Sequence, residues 1–317
     1  MSRTGFRTVT ALLLLAAGAA AQSDSTGIKL IEQRKFADAE RFFDSAVARN
    51  GKDAEARYFH AIALMMGKDL DAAEDEVDEA IDLNENAAKY HLLRGQILGQ
   101  QAMTANVISQ GFLAPKIKNA FLRASELDPK NIEARAALFS YYLMAPGIMG
   151  GSDEKAMEQA DAVERLEPMR GKLMRASYFL RKKDTARAEG EMKGAIAAAP
   201  EKGAGHKQLG YLNLNRKRYA EASSNMERYI ALEPKNPDAY DSMGDVLAAQ
   251  EKYDQAIERY LQALAVDRTF SPSVFALAGC YEKKNMKQKA KETYQWFLTL
   301  EQNTRRAETA EKKIKEL

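Results

Sequence analysis

Residues 237–270 read PDAYDSMGDVLAAQEKYDQAIERYLQALAVDRTF, and the placement of large and small side chains in this stretch decides the fold. Tyr240, Met243, Gly244 and Leu247 fall at helical spacing, and Ala256, Tyr260 and Ala263 do so again further on. A shift of 34 residues toward the N-terminus takes Gly244, Ala256 and Ala263 onto Gly210, Ala222 and Tyr229, with Pro234 closing the phrase. The same shift toward the C-terminus reaches Ala278, Ala290 and Phe297, where Tyr281 and Tyr294 take the aromatic positions. Three successive registers agree without a gap, which predicts stacked copies of one two-helix unit, each too small to bury its apolar face alone.

This order of large, glycine, alanine and aromatic positions resembles the tetratricopeptide repeat (TPR) family, and the resemblance implies an all-α, right-handed solenoid. Upstream, Ala188, Met192, Ala195 and Pro200 mark a shorter unit, Ala61, Leu64, Ala73, Val77 and Ala80 a full one, and Gly27, Leu30, Ala39, Phe43 and Ala46 the first. Two units carry insertions, of ten residues between Leu98 and Phe121 and of five before Ala156, Ala160 and Val163. About eight helix pairs are expected, near 22–53, 54–87, 88–131, 132–170, 171–202, 203–236, 237–270 and 271–303, with a capping helix over 304–317. Small residues such as Gly244 with Ala256, and Ala61 with Ala73, let the two helices of a unit approach, while Tyr260 or Phe43 is expected to fill the space against the next unit. Pro129, Pro168 and Pro234 cannot continue a helix, so they punctuate the units.

Composition agrees with an all-helical chain: only 8 prolines and 19 glycines interrupt 317 residues. Lysine and arginine total 47 against 45 acidic residues, so no strong global field draws the chain to nucleic acid or anionic lipid, and no nucleic-acid partner is expected. Arg3 and Arg7 precede an apolar run from Val9 to Ala17, and Ala19-Ala20-Ala21 supplies the small residues of a cleavage site before Gln22. Residues 1–21 are therefore expected to be a cleavable signal peptide, leaving a periplasmic or secreted protein with no integral membrane span. Removing Arg3 and Arg7 from the 47 basic residues makes them equal to the 45 acidic ones. The one cysteine, Cys280, rules out an intramolecular disulfide and is expected to pack inside a helix beside Leu277 and Tyr281.

The inserted loop 141–152 reads YYLMAPGIMGGS. Pro146 stops one helix, Gly150 and Gly151 permit positive φ, and Ser152 suits the N-cap of the next. Ile148 and Met149 either cover a ligand groove or pack on the scaffold, and the two glycines before a helix offer a weak anion site. Followed by Lys155-Ala156 and preceded by PKIKNAF at 115–121, the loop resembles that of a subgroup of exported bacterial TPR proteins with an Ala-Pro-Gly-x-x-Gly-Gly motif. It is also similar to the TPR component that accompanies some periplasmic TRAP transporters. The other insertion, Gln100 to Ala114, is uncharged; it is expected to extend its first helix and pack beside the Pro146 loop.

First helices of a TPR array line a concave groove. By register the candidate contacts are Tyr58, Ile62, Met65, Met66, Leu92, Gln96, Ser140, Leu143 and Met144 in an apolar half. Lys207, Tyr211, Asn215, Asp241, Asp245, Phe275 and Glu282 follow in a polar half. No nucleophile elbow or metal-ligand spacing surrounds the three histidines, His60, His91 and His206, so neither catalysis nor a cofactor is expected. The expected function is a non-catalytic scaffold holding a segment of another protein in the groove; the alternative is a binder of an apolar small molecule associated with transport.

Overall fold

The computed structural model describes residues 24–302 and 304–317, and the expected signal segment, 1–21, lies outside them. Among the described residues there are seventeen α-helices and no strand. They form two compact units, one ending at Leu166 and the other running over Glu167–Leu317. The first contains α1 (Asp24–Glu32), α2 (Phe36–Arg49), α3 (Ala54–Gly67), α4 (Leu70–Leu83), α5 (Ala88–Thr104), α6 (Val107–Leu127), α7 (Ile132–Met144) and α8 (Asp153–Leu166). The second contains α9 (Pro168–Arg181), α10 (Thr185–Ala198), α11 (Ala204–Asn215), α12 (Tyr219–Leu232), α13 (Pro237–Ala249), α14 (Tyr253–Val266), α15 (Ser271–Lys283), α16 (Lys287–Leu300) and α17 (Arg305–Glu316). The helices pair in sequence, α1 with α2 through α15 with α16, and α17 packs on α16 as a cap.

Local chemistry sets the pair ends. Asp53, Asp69, Asn131 and Asp184 each accept a hydrogen bond from the backbone amide three residues on, which satisfies a donor the helix leaves unpaired. Six pairs turn through one residue in the left-handed region: Arg34, Lys68, Lys183, Lys217, Glu251 and Asn285, with φ between 57° and 74°. The last four stand 34 residues apart, as do the first two, so the repeat is written in backbone conformation as well as in side-chain volume.

Close approach within a pair has one recurring device. A methyl group added to Gly27, Gly95 or Gly244 would meet the ring of Phe43, Phe121 or Tyr260 at 2.4, 2.4 and 2.5 Å. The glycine and ring are 16 residues apart in the regular pairs and 26 apart in α5–α6, the difference being the ten-residue insertion. Tyr260 therefore fills its own pair, over Gly244, and not simply the space toward the next unit as expected. Phe43 does both, lying over Gly27 and stacking on Phe59 of the next pair at 5.6 Å between centroids.

The expected boundary at 170/171 falls inside a helix, because α9 begins at Pro168. Proline in the first helical turn loses no hydrogen bond and presets φ, so it opens a helix here. The ten inserted residues lengthen both helices of their pair, α5 to 17 residues and α6 to 21, with Pro115 inside α6. The five inserted residues form a 3-10 turn, Gly147–Met149.

Candidate functional site

In the first unit the expected groove residues divide. Tyr58, Ile62, Met65 and Leu92 are at most 4% exposed and belong to the core, a correction to their reading as partner contacts. The reason is that α3 is buried on every side: Ala56 and all residues from Tyr58 to Met65 are buried, the groove-facing positions among them. Tyr58 packs against Phe59 and Tyr90, with ring centroids 5.1 and 5.3 Å away. Met66, Gln96 and Leu143 are half-buried, and Ser140 and Met144 are exposed.

The inserted elements carry the apolar surface. Met103, Val107, Ile108 and Phe112, at the α5–α6 turn and on the start of α6, are 74–77% exposed, Met144 is 68% exposed, and Ile148 reaches 94%. Two glutamines hold the hairpin tip. Gln110 Nε2 donates to the carbonyls of Ala102 and Ala105 at 3.1 and 3.0 Å, and Gln101 Nε2 donates to Glu74 of α4 at 3.0 Å. α6 packs against the 3-10 turn, with Lys118 beside Gly150, while Val107, Ile108 and Phe112 at its start remain in solvent.

The loop is held from within. Tyr141 donates its hydroxyl to the Met149 carbonyl at 2.5 Å, and Met149 is half-buried. Gly150 takes φ 89°, and a methyl on Gly151 would stand 1.9 Å from the Ala145 carbonyl oxygen, so only glycine fits. The amides of Gly150, Gly151 and Ser152 donate to the carbonyls of Gly147, Pro146 and Tyr142, which leaves none of the three for an anion. Ser152 Oγ caps α8 by accepting from the Lys155 amide at 3.2 Å.

In the second unit most of the residues expected to meet a partner bond instead to other residues of the chain, as a ladder between successive repeats. Lys207 Nζ donates to Asp238 at 2.5 Å, and Tyr229 donates to the same carboxylate at 2.8 Å. Tyr211 donates to Asp245 at 3.0 Å, and Tyr260 reaches the other oxygen of Asp245 at 3.0 Å. Ser273 donates to Asp241 at 2.8 Å, both residues being fully buried. Beyond them Glu282 accepts from Tyr294 at 3.1 Å and Lys313 of the cap at 2.6 Å. Phe275 packs edge-on against Tyr294 and Phe297 at 5.7 and 5.1 Å, and Asn215 is exposed at the end of α11. Burial first, then the neighbouring carboxylates, raise the Tyr260 and Tyr294 hydroxyls above their ordinary pKa, so both stay donors. These polar residues thus bond one repeat to the next.

The histidines have partners that spacing alone left out. Buried His60 places Nδ1 3.4 Å from the Glu76 carboxylate, which also accepts from Arg57 at 2.8 Å; His206 meets Asn225 at 3.1 Å, and His91 the Glu85 carbonyl at 2.8 Å. Burial pushes the Glu76 carboxyl up, but the hydrogen bonds from His60 and Arg57 outweigh it and hold Glu76 below the usual carboxylate range. Cys280 is buried, which pushes its thiol up to about 11, with Asp245 adding to the effect. Among the described residues no group of three or more His, Cys, Asp or Glu side chains is arranged to hold a metal ion, and no helix is long and apolar enough to cross a membrane. Two surface depressions, one around His206, Asn225 and Arg228 and one around Asp71, Glu74 and Gln101, are open to solvent and of mixed polarity.

The tetratricopeptide repeat family matches residues 30–97 in one form, and 173–239 and 242–298 in another. No curated protein matches the sequence. The crystal structure of yeast Tom70 superposes with a TM-score of 0.72 at 16% identity, over 95% of this chain and 66% of the Tom70 chain, a likeness of fold. The APC/C heterotetramer Cut9–Hcn1 aligns over 98% of this chain and 58% of its own, with 15% identity and a looser TM-score of 0.49. With the paired helices, the glycine–ring contacts and the matches to both ends of the chain in agreement, this is a protein built of tetratricopeptide repeats, an α-solenoid with a C-terminal capping helix.

Proposed function

We propose that the chain is a non-catalytic scaffold, in the periplasm or outside the cell, that binds an apolar segment of another protein. Tetratricopeptide-repeat proteins are generally interaction scaffolds, and the leader-like residues 1–21 support export. The observation that carries the reading is the set of six large apolar side chains on the two insertions, Met103, Val107, Ile108, Phe112, Met144 and Ile148, each more than two thirds exposed. Soluble chains seldom leave such residues in water unless they meet a partner. Because Tyr58, Ile62, Met65 and Leu92 are core, the partner grips the inserted edge and touches the first-helix face at its accessible positions, among them Gln96, Ser140 and Leu143. Methionine, isoleucine and phenylalanine here suit the apolar stripe of a helix or an extended strand.

The test is a photo-crosslinking amino acid placed at Ile108 or Phe112 in the native cell, with Leu261 on α14 as an exposed comparison. A protein adduct of one mass at 108 and 112 and none at 261, abolished by Met103→Asp, supports the reading. Adducts that are absent, or equal at all three sites, reject it.

A further inference from the structure

The near balance of charge over the whole chain hides a segregation within the second unit. The turns inside its four pairs read RKKD (181–184), NRKR (215–218), QEKY (250–253) and KKNMK (283–287), ten basic residues against two acidic. The turns between those pairs read APEKG (199–203), EPKNP (233–237) and DRTFS (267–271), three basic against three acidic. Antiparallel pairs place all the first kind on one edge of a stack. Side-chain bonds between pairs agree: Arg216 and Arg218 reach Glu189 at the start of the preceding pair's second helix, at 2.8 and 3.4 Å, and Lys284 reaches Asp254 in the same way. Neighbouring first helices pack roughly 10 Å apart, so the basic turns recur at about that interval along one edge.

We infer that this edge docks on an anionic membrane surface, taking phosphate-bearing lipid headgroups. Three observations select that partner. Most acids nearest the edge are occupied, Glu189 by Lys193, Arg216 and Arg218, Asp254 by Lys284, and Asp184 by Arg187, and exposed Glu221 and Glu251 are too few to offset the row. The turn cations for which no ion pair is seen among the described residues are mostly lysines: Lys183, Lys217, Lys252, Lys283 and Lys287, with Arg181 the one arginine. Lysine is a mobile point charge on a long stem, suited to a diffuse layer of phosphates and poorly suited to bidentate reading of one acidic peptide. Three aromatic faces beside the edge are covered by cations and so less open to nucleobases, with Lys182 over Tyr178, Arg187 over Phe179 and Lys289 over Tyr281, at 5.7, 4.6 and 5.7 Å from the ring centres.

Cosedimentation of the purified full chain with vesicles tests this, using phosphatidylcholine alone against an equal mixture with phosphatidylglycerol. The chain is expected to bind the mixed vesicles only and to leave them as salt is raised. Lys183→Asn, Lys217→Asn and Lys252→Gln together should lower partition about 100-fold, at roughly a factor of five per lysine, with helicity unchanged. Asparagine is chosen because Asn285 already holds the equivalent left-handed position. Lys202→Gln, Lys235→Gln and Arg268→Gln on the other edge should leave binding intact. No binding, equal binding to both vesicles, or equal loss in the two triple variants overturns the proposal. So does capture by a single-stranded oligonucleotide or by polyglutamate without vesicle binding, which assigns the edge to that polymer.

Discussion

The pairs α5–α6 and α13–α14 rest on the same contact and differ in what surrounds it. In each, a glycine of the first helix receives an aromatic ring of the second, Gly95 under Phe121 and Gly244 under Tyr260. In α13–α14 the helices end as soon as that contact is covered, and the Tyr260 hydroxyl passes the linkage through Asp245 to Tyr211 of the preceding pair. In α5–α6 the helices run on into water. A methyl added to Gly111 in that extension would meet nothing within 4 Å. Volume is thus constrained where layers of the stack are in register, and helix length is free at the edge, which is where a repeat protein can acquire a new surface without disturbing its core.

The comparison can be broken most decisively at Tyr260. Tyr260→Ala should cost about 3–5 kcal/mol of unfolding free energy in urea, from the cavity over Gly244 together with the lost bond to Asp245. A cost below about 1 kcal/mol would mean the regular pair is no more tightly specified than the extended one. One substitution should then change sign between the two pairs. Gly244→Ala should destabilise by about 1–3 kcal/mol through overpacking against the ring, whereas Gly111→Ala should stabilise by about 0.5–1 kcal/mol through helix propensity alone.

A smaller effect belongs to the half-buried Arg57–Glu76 ion pair. Glu76 is held below the usual carboxylate range, so its contribution is complete above the unfolded pKa of about 4.3 and fades as pH falls through the folded value. Unfolding free energy measured from neutral pH downward should therefore fall less steeply below about pH 4.3 in Glu76→Gln than in the unaltered chain. The smallest expected effect is Phe112→Ser, within about 0.5 kcal/mol of the parent, since the ring has little packing to lose. A loss comparable to Tyr260→Ala would show that the hairpin tip is core after all.

The stack was legible because volume repeats: Gly210, Gly244 and Ala278, and Ala222, Ala256 and Ala290, lie one unit apart and point to the same contact. The exposed apolar surface was only half legible. The uncharged stretch Gln100 to Ala114 stood out in the sequence, but apolar letters do not say whether a helix end meets a neighbour or water. Tyr58, Ile62 and Met65 misled for a related reason. On a helix buried all round, groove-facing and core positions have the same character, and a register error of one residue turns a side chain by about 100°. The ladder of Lys207 with Asp238 and Tyr211 with Asp245 was available from the same arithmetic, since the partners lie 31 and 34 residues apart, close to one repeat.

Cys280 gives the molecule a clock. It is the single thiol in the chain, it is 4% exposed, and its burial among α13, α15 and their neighbours holds it protonated. An alkylating reagent can therefore mark it only during those intervals when the last repeats part. The rate at which native protein gains one label, followed by mass, reads how often the C-terminal end of the stack opens, with no probe introduced and no residue changed.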